Sequence, residues 1–257
     1  MATLETKSGI EVEDFRKDYL FGLPSQLRKS SEWSSTFLYN KIRAAEDTLE
    51  RDLSVYYTPK IIMSEPAATL IQGTDYDIAE PAYDYSSDFY VGERWGDIRL
   101  RRYPVRSVQS VKFCYPNIDH RIMTVPPVWV RLNGPFGRIR LVPDSASMVL
   151  SFTAYMLSIF SGGRGVPQSI FVNYTAGFSG VNEKGDLATD YQDFLELTKR
   201  LAVLNIVEDA FMPNSTSNSA DGLSQSQSYG IKDFRGSYEK SLEKFRNKIK
   251  GVRCVFV

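Results

Sequence analysis

From Gly92 to Phe113 the chain is written in twos. Ile98 and Leu100 fall on one side of an extended backbone and Arg99 and Arg101 on the other, the alternation of a strand with one face buried and one in water. Tyr103-Pro104 then breaks the ladder, because proline has no N–H to donate. A second run follows, with Val105, Val108, Val111 and Phe113 as its apolar positions. Its spacing slips by one between Val105 and Val108, so a bend or bulge is expected there.

The β pattern extends from Asp88 to Phe178. Strands are expected at Phe89–Glu93, Asp97–Arg102, Val105–Phe113, Val128–Leu132, Gly137–Val142, Met148–Ala154 and Ser169–Thr175. Turn strings such as Pro116-Asn117, Asn133-Gly134-Pro135 and Pro143-Asp144 separate them. Short strands at this spacing suggest a small antiparallel barrel or sandwich.

Helical spacing takes over on either side. Val12, Phe15 and Tyr19 mark a short helix within Glu11–Leu20. Leu38, Ile42, Ala45, Leu49 and Leu53 form one stripe of a helix from about Thr36 to Leu53, with Ser34 or Ser35 as its N-cap. Asp190 to Phe211 reads as a helix buried on most sides and stopped by Pro213. The Ser/Asn/Gln-rich stretch Pro213–Gly230 is too polar to bury a core, so it reads as an arm. Ile231–Lys250 is a last amphipathic helix, with Phe234, Tyr238, Leu242, Phe245 and Ile249 on one stripe. Gly251 stops it, and Val252–Val257 reads as a strand without a partner in sequence. The fold class expected is therefore α+β: an antiparallel helical core of about three to four helices with an inserted small antiparallel β-barrel or sandwich.

Little in the chain suggests chemistry. No Gly-x4-Gly-Lys-Ser/Thr string and no Gly-x-Ser-x-Gly elbow occurs. The single histidine, His120, sits in a polar turn beside Asp119, and Cys114 and Cys254 lack metal-type or redox-type neighbours. The acidic, tyrosine-rich stretch Gly73–Ser87 lacks the spacing of a calcium loop and reads as a surface loop or edge that meets a neighbour. No cofactor, no metal and no catalytic residue is expected. Met1–Lys7 lacks the apolar core of a secretory signal, and no apolar run approaches the ~20 residues of a membrane span, so a product made in the cytoplasm without membrane contact is expected.

Charge is more informative than motif. Lys+Arg and Asp+Glu number 31 each, which argues against a protein that binds nucleic acid over its whole surface but leaves room for local stripes. Arg99 and Arg101 alternate along one strand and Arg138 and Arg140 along another, so pairing of those strands would put four guanidinium groups on one surface. Such a face suits phosphate or an acidic neighbour. From Lys232 to Arg253, eight basic residues stand against three acidic ones.

The order of these features resembles that of the head–tail adaptor (head completion, or neck connector) proteins of tailed bacteriophages. The likeness rests on Trp95-Gly96-x-Ile98-x-Leu100, Tyr103-Pro104-Val105, Tyr174-x-Ala176-Gly177-Phe178, the long apolar helix, the polar arm with Asp221-Gly222-Leu223-Ser224-Gln225-Ser226, the last helix and the short apolar tail. It implies a division into N-terminal helices (1–60), an inserted β domain (61–180), a long core helix (181–212), an arm (213–230) and a C-terminal helix with tail strand (231–257). It implies a structural virion protein of the phage neck: a ring, usually dodecameric, that lies below the portal ring, meets tail or stopper proteins and lets DNA pass without reading its sequence. A stopper or tail terminator is the alternative, and an enzyme a distant one. Within that frame, Phe245, Lys248, Ile249, Lys250, Val252, Arg253, Val255 and Val257 are portal-docking candidates, and Asp75, Asp77, Tyr83, Asp84, Arg99, Arg101, Arg138 and Arg140 are candidates for contacts between subunits.

Overall fold

Ser34 begins the first long helix, its Oγ accepting the N–H of Phe37 at 3.1 Å and so satisfying one of the free donors of the first turn. The computed structural model describes residues 5–20, 33–86, 96–114, 121–142, 166–210, 215–220, 223–228 and 231–250. The expected strands Phe89–Glu93 and Met148–Ala154, His120 and the tail Val252–Val257 lie outside the described residues. The chain divides into two compact units: Met1–Leu53 with Gly180–Val257, and Ser54–Ser179. The fold is α+β.

The first unit is helical. It contains α1 (Val12–Tyr19), α2 (Ser35–Leu53), α3 (Asp186–Ala210) and α4 (Ile231–Lys250). The stripe Leu38, Ile42, Ala45, Leu49 and Leu53 is buried throughout. On α3, Tyr191, Phe194, Leu197, Leu201, Leu204 and Ile206 are buried, which explains why so little of its second half is polar. Helix α4 lies on α3: the rings of Phe194 and Phe245 stack 5.6 Å apart at 5°, and Tyr238 and Ile249 are buried with them. Between α3 and α4 the chain runs as two antiparallel strands, β10 (Ser215–Ala220) and β11 (Leu223–Ser228), rather than as an unpaired arm. Composition misled here, because a hairpin is held by backbone bonds that polar residues make as well as apolar ones.

The second unit is β. Its larger sheet runs β2 (Ile78–Glu80), β1 (Lys60–Ser64), β9 (Val166–Ala176), β5 (Val105–Cys114), β6 (Arg121–Thr124), with β3 (Tyr83–Tyr85) also on β9. It is mixed rather than purely antiparallel, since β1 and β2 run parallel with Ile62 opposite Ile78. The ladder of β5 on β9 shifts register between Val105 and Ser107 and again between Val108 and Ser110, where the apolar spacing slips. A smaller sheet, β4 (Ile98–Arg99), β8 (Arg138–Leu141), β7 (Val130–Asn133), is antiparallel. Ile98, Ile139 and Leu141 from the small sheet and Ile62, Val172 and Tyr174 from the large one share a single core.

Candidate functional site

The small sheet has two faces of opposite character. Ile98, Ile139 and Leu141 turn inward and are at most 3% exposed. One residue away on each strand, the outward positions are Arg99, Arg138, Arg140 and Arg131, since side chains alternate along a strand. Arg99 stands directly opposite Arg138, and Arg131 directly opposite Arg140. Asp97 lies beside them, its carboxylate 3.8 Å from Arg138 Nη2 and 4.0 Å from Arg140 Nε. Three of the four arginines anticipated for this face are therefore on it.

The fourth is not. After Arg99 the strand ends, and Arg101 turns toward the larger sheet, its guanidinium 4.1 Å over the Tyr83 ring and donating to the carbonyls of Pro81 (2.5 Å) and Ala82 (3.2 Å). Arg131 replaces it. The alternation Val130-Arg131-Leu132 carried that signal in the sequence, and only the pairing of β7 with β8 was missing.

The acidic candidates are differently placed. Asp75 accepts the N–H of Ile71 and Asp77 that of Ile61, each at 2.8 Å, and Asp84 accepts that of Gln168 at 2.9 Å. Each carboxylate thus already holds a local donor, and Asp77 also faces Lys60 at 3.5 Å. Tyr83 is no surface residue: it is buried, and the stretch read as a surface loop or edge supplies β2, at the end of its sheet, and β3.

Tyr83 belongs to a buried polar cluster. Its hydroxyl donates to Glu80 at 2.6 Å and accepts the N–H of Arg101 at 3.0 Å. The hydroxyl of Tyr174 donates to the other Glu80 oxygen at 3.2 Å and accepts the N–H of Arg102 at 3.3 Å. Burial pushes the Glu80 carboxyl above its ordinary range, against the pull of Tyr83 and Arg101, and burial likewise pushes both phenols up. Such a cluster is a clamp on the chain at 101–102 and is closed to substrate.

Beside it, two of the strings that carry the phage resemblance meet. Val105 pairs with Ala176, and the N–H of Gly177 donates to the carbonyl of Pro104 at 2.8 Å. Arg106 Nε donates to the carbonyl of Gly177 at 2.9 Å, and Phe178 N–H to that of Tyr56 at 2.9 Å. Gly177 has φ +126°, and a Cβ there would stand 2.4 Å from the carbonyl oxygen of Thr58, so only glycine fits.

The portal-docking candidates separate into two groups. Phe245 and Ile249 are buried against the helices of their own unit, and Lys248 binds Asp190 at 2.6 Å and Asp193 at 3.0 Å. The stripe of α4 is thus covered in cis; Phe234 alone of the stripe is exposed, at 38%. The side chain of Lys250 and the residues Val252, Arg253, Val255 and Val257 lie outside the described residues.

Two grooves open among the described residues. One in the β unit, of about 180 Å³, is lined by Val108, Val125, Pro127 and Leu132 and by no titratable side chain. The other, of about 310 Å³, runs between α3 and α4, where Arg200 and Lys248 are already paired with Glu196, Asp190 and Asp193. Among the described residues no group of three His, Cys, Asp or Glu side chains could hold a metal ion, and no helix is long and apolar enough to cross a membrane.

No protein-family model and no curated protein matches the sequence. Among solved structures, the chain is similar to one in the neck of an empty gene transfer agent particle computed with C6 symmetry, at 13% identity and a TM-score of 0.43, over 100% of this chain and 96% of that one. It is also similar to a chain in the virion of a native gene transfer agent particle, at 15% identity and a TM-score of 0.45, again over 100% of this chain and 96% of that one.

Proposed function

We propose that the chain is a structural protein of the neck of a phage-like particle: a head–tail adaptor that forms a ring below the portal, joins it to the tail and lets DNA pass. The observation that carries this reading is the joint between Tyr103-Pro104-Val105 and Ala176-Gly177-Phe178. Two strings some 70 residues apart, each part of the adaptor resemblance, are held to one another by backbone bonds and by a glycine that no other residue replaces. The resemblance is thereby tied to residues that shape the β unit and not to scattered surface positions.

In this reading the protein works by contact and has no turnover. With the α4 stripe covered in cis, the portal contact falls to the tail: Val252–Val257, apolar but for Arg253, can add as a strand to a sheet edge on another chain, with Val255 and Val257 on one face, Val252 on the other, and Arg253 supplying charge. A ring repeats that contact many times, so weak single contacts sum to a firm joint. The test is co-sedimentation of the full chain, and of the chain lacking Gly251–Val257, with portal-bearing heads. The full chain is expected to join the heads in a fixed ring stoichiometry and the truncated, folded chain to stay behind. A full chain that ignores portal-bearing heads would refute the adaptor reading, and equal binding by both would refute the tail as its docking segment.

A further inference from the structure

Among the described residues the β unit leaves two apolar patches in water. One is the tip of the connection from β1 to β2, where Leu70 and Ile71 stand out and Ile71 is 64% exposed. The other borders the groove of Val108, Val125, Pro127 and Leu132, where Val128 is 67% exposed and Leu132 39%. Phe136, in the turn from β7 to β8, is exposed as well. Single exposed apolar side chains are ordinary, whereas clustered ones mark contact sites.

Both patches are fixed in shape. The N–H of Ile71 donates to the Asp75 carboxylate at 2.8 Å, and the Ile71 carbonyl accepts the N–H groups of Thr74 and Asp75 at 3.2 and 2.9 Å. Leu70 N–H donates to the carbonyl of Ala67 at 2.9 Å, and Gln72 Nε2 to that of Asp77 at 2.9 Å. The tip therefore loses little freedom on binding. In the groove, the carbonyl of buried Val111 accepts the N–H of Val125 at 2.8 Å. An apolar cavity of about 150 Å³ holds a six-carbon ring, so a groove of about 180 Å³ has room for the four-carbon side chain of an isoleucine.

Position and charge say whose. In the larger sheet, ordered β2-β1-β9-β5-β6, the tip belongs to the β2-β1 end and the groove to the β5-β6 end. Ile71 is in water and hence outside the groove of its own copy, while a second copy offers each end what the first lacks there. From Ile61 to Glu93 the chain has seven acidic residues and no basic one; from Arg94 to Val142 it has ten basic residues and two acidic ones. The ion pair of Glu80 with Arg101 takes one charge from each stretch and leaves the contrast standing. At the tip, Asp75 holds the Ile71 N–H with one oxygen, and a carboxylate keeps acceptor capacity at the other. Two bases border the groove. Lys112 stands directly opposite Thr124, which lines it, and Arg131 lies on edge strand β7 between Val130 and Leu132, turned to the strand's other side. Neither has a carboxylate within ion-pair reach among the described residues.

We infer that Leu70-Ile71 of one copy seats in the groove of Val108, Val125, Pro127 and Leu132 of a second copy, with its acidic flank toward Lys112 and Arg131. Opposite ends of the sheet meet, so the contact is heterologous and repeats from copy to copy until a ring closes. As the subunit joint of the neck ring it rests on the reading proposed above; the contact itself needs neither heads nor portal.

The test is thiol cross-linking of two full-length variants, Ile71→Cys and Leu132→Cys, with a short bis-maleimide, the linked peptides being identified by mass spectrometry so that Cys114 and Cys254 do not confuse the result. A link between positions 71 and 132 is expected in the mixture, and no 71–71 or 132–132 link in either variant alone. Sedimentation equilibrium of the parent is expected to show association that weakens with salt. Ile71→Asp should weaken it at least ten-fold. Lys112→Glu/Arg131→Glu should weaken it about five-fold and remove most of the salt dependence. Thermal midpoints of these variants should match the parent, since the replaced side chains lie at the surface. No 71–132 link, or an Ile71→Asp chain that associates like the parent, would overturn the inference. Links of 71 to 71 or of 132 to 132 would overturn it too, because they would show a two-fold pair in place of a head-to-tail contact. Failure here with normal joining to portal-bearing heads would leave the adaptor reading intact, whereas a 71–132 link in a chain that ignores such heads would sink that reading and keep the contact.

Discussion

Among the described residues the helical unit buries Glu46 and Glu50 and the β unit buries Glu80, and Glu46 and Glu80 are held in different ways. In the helical unit Glu46, with 0% exposure, accepts the N–H groups of Lys7 (3.2 Å) and Ser8 (2.8 Å), the Ser8 hydroxyl, and Arg43 Nη1 at 3.4 Å. In the β unit Glu80 is bound by two phenols and faces Arg101 at 3.7 Å. Backbone N–H groups cannot turn away, so Glu46 is a fixed socket that fastens residues 7–8 to α2. Phenol hydroxyls rotate about their C–O bonds and also accept, so Glu80 sits in a network that adjusts. The comparison teaches that a buried carboxylate fastens most firmly where its donors are backbone, and that side-chain donors trade strength for adaptability.

The largest expected effect follows from the socket. Glu46→Ala would leave the Lys7 and Ser8 N–H groups and the Ser8 hydroxyl without their acceptor, and should cost about 3–5 kcal/mol. Urea unfolding followed by circular dichroism checks this. A loss below about 1 kcal/mol would mean that water replaces the carboxylate at no penalty and that the two acids are equivalent. Tyr174→Phe comes next. It removes one donor to Glu80 and the acceptor of the Arg102 N–H, but leaves Tyr83 in place, so about 1–3 kcal/mol is expected. Tyr83→Phe/Tyr174→Phe should cost more than the two single changes together, because each phenol partly covers for the other. Strict additivity would show two independent bonds and no network.

The two units also differ in how legible they are. Helix α2 starts one residue before its expected first residue and α4 matches its expected bounds, because the stripe, the Ser34 cap and Gly251 are all local signals. Helix α3 begins at Asp186, four residues before its expected first residue. Strands could be read from alternation, but partners could not, since a strand's mate is fixed by residues far away. Arg131 was missed for that reason, and Arg101 was misassigned because the strand ends at Arg99. The tyrosines of β3 were taken for surface because Asp75, Asp77, Glu80 and Asp84 surround them, although Tyr83-Asp84-Tyr85 alternates as a strand with its aromatic side buried. Asp221-Gly222 between β10 and β11 is the strongest short hairpin signal, and the polarity around it concealed it. The α4 stripe was correct as a stripe; that Phe194 would cover it is a tertiary fact.

The smallest expected effect has a sign that decides what kind of acid Glu80 is. Burial is the first cause of its shift and raises the carboxyl above its ordinary 4.5, while the hydrogen bond from Tyr83 and the charge of Arg101 pull it down without cancelling the rise. A carboxyl with a raised folded pKa binds more protons folded than unfolded in the interval between the two values. Its contribution to stability is therefore complete below about 4.5 and declines as pH climbs to the raised value, after which it is constant. Glu80→Gln keeps an oxygen for Tyr83 and offers an amide to Tyr174 but carries no titrating proton. The wild type should therefore lose stability relative to Glu80→Gln as pH rises above about 4.5. Urea midpoints of both proteins at several pH values give the difference curve, in which distant carboxylates cancel. A curve of the opposite slope would mean that Arg101 and the phenols outweigh burial. Glu80 would then be the partner of an ion pair first and a buried acid second, and the adaptability that separates it from Glu46 would rest on charge and not on rotating hydroxyls.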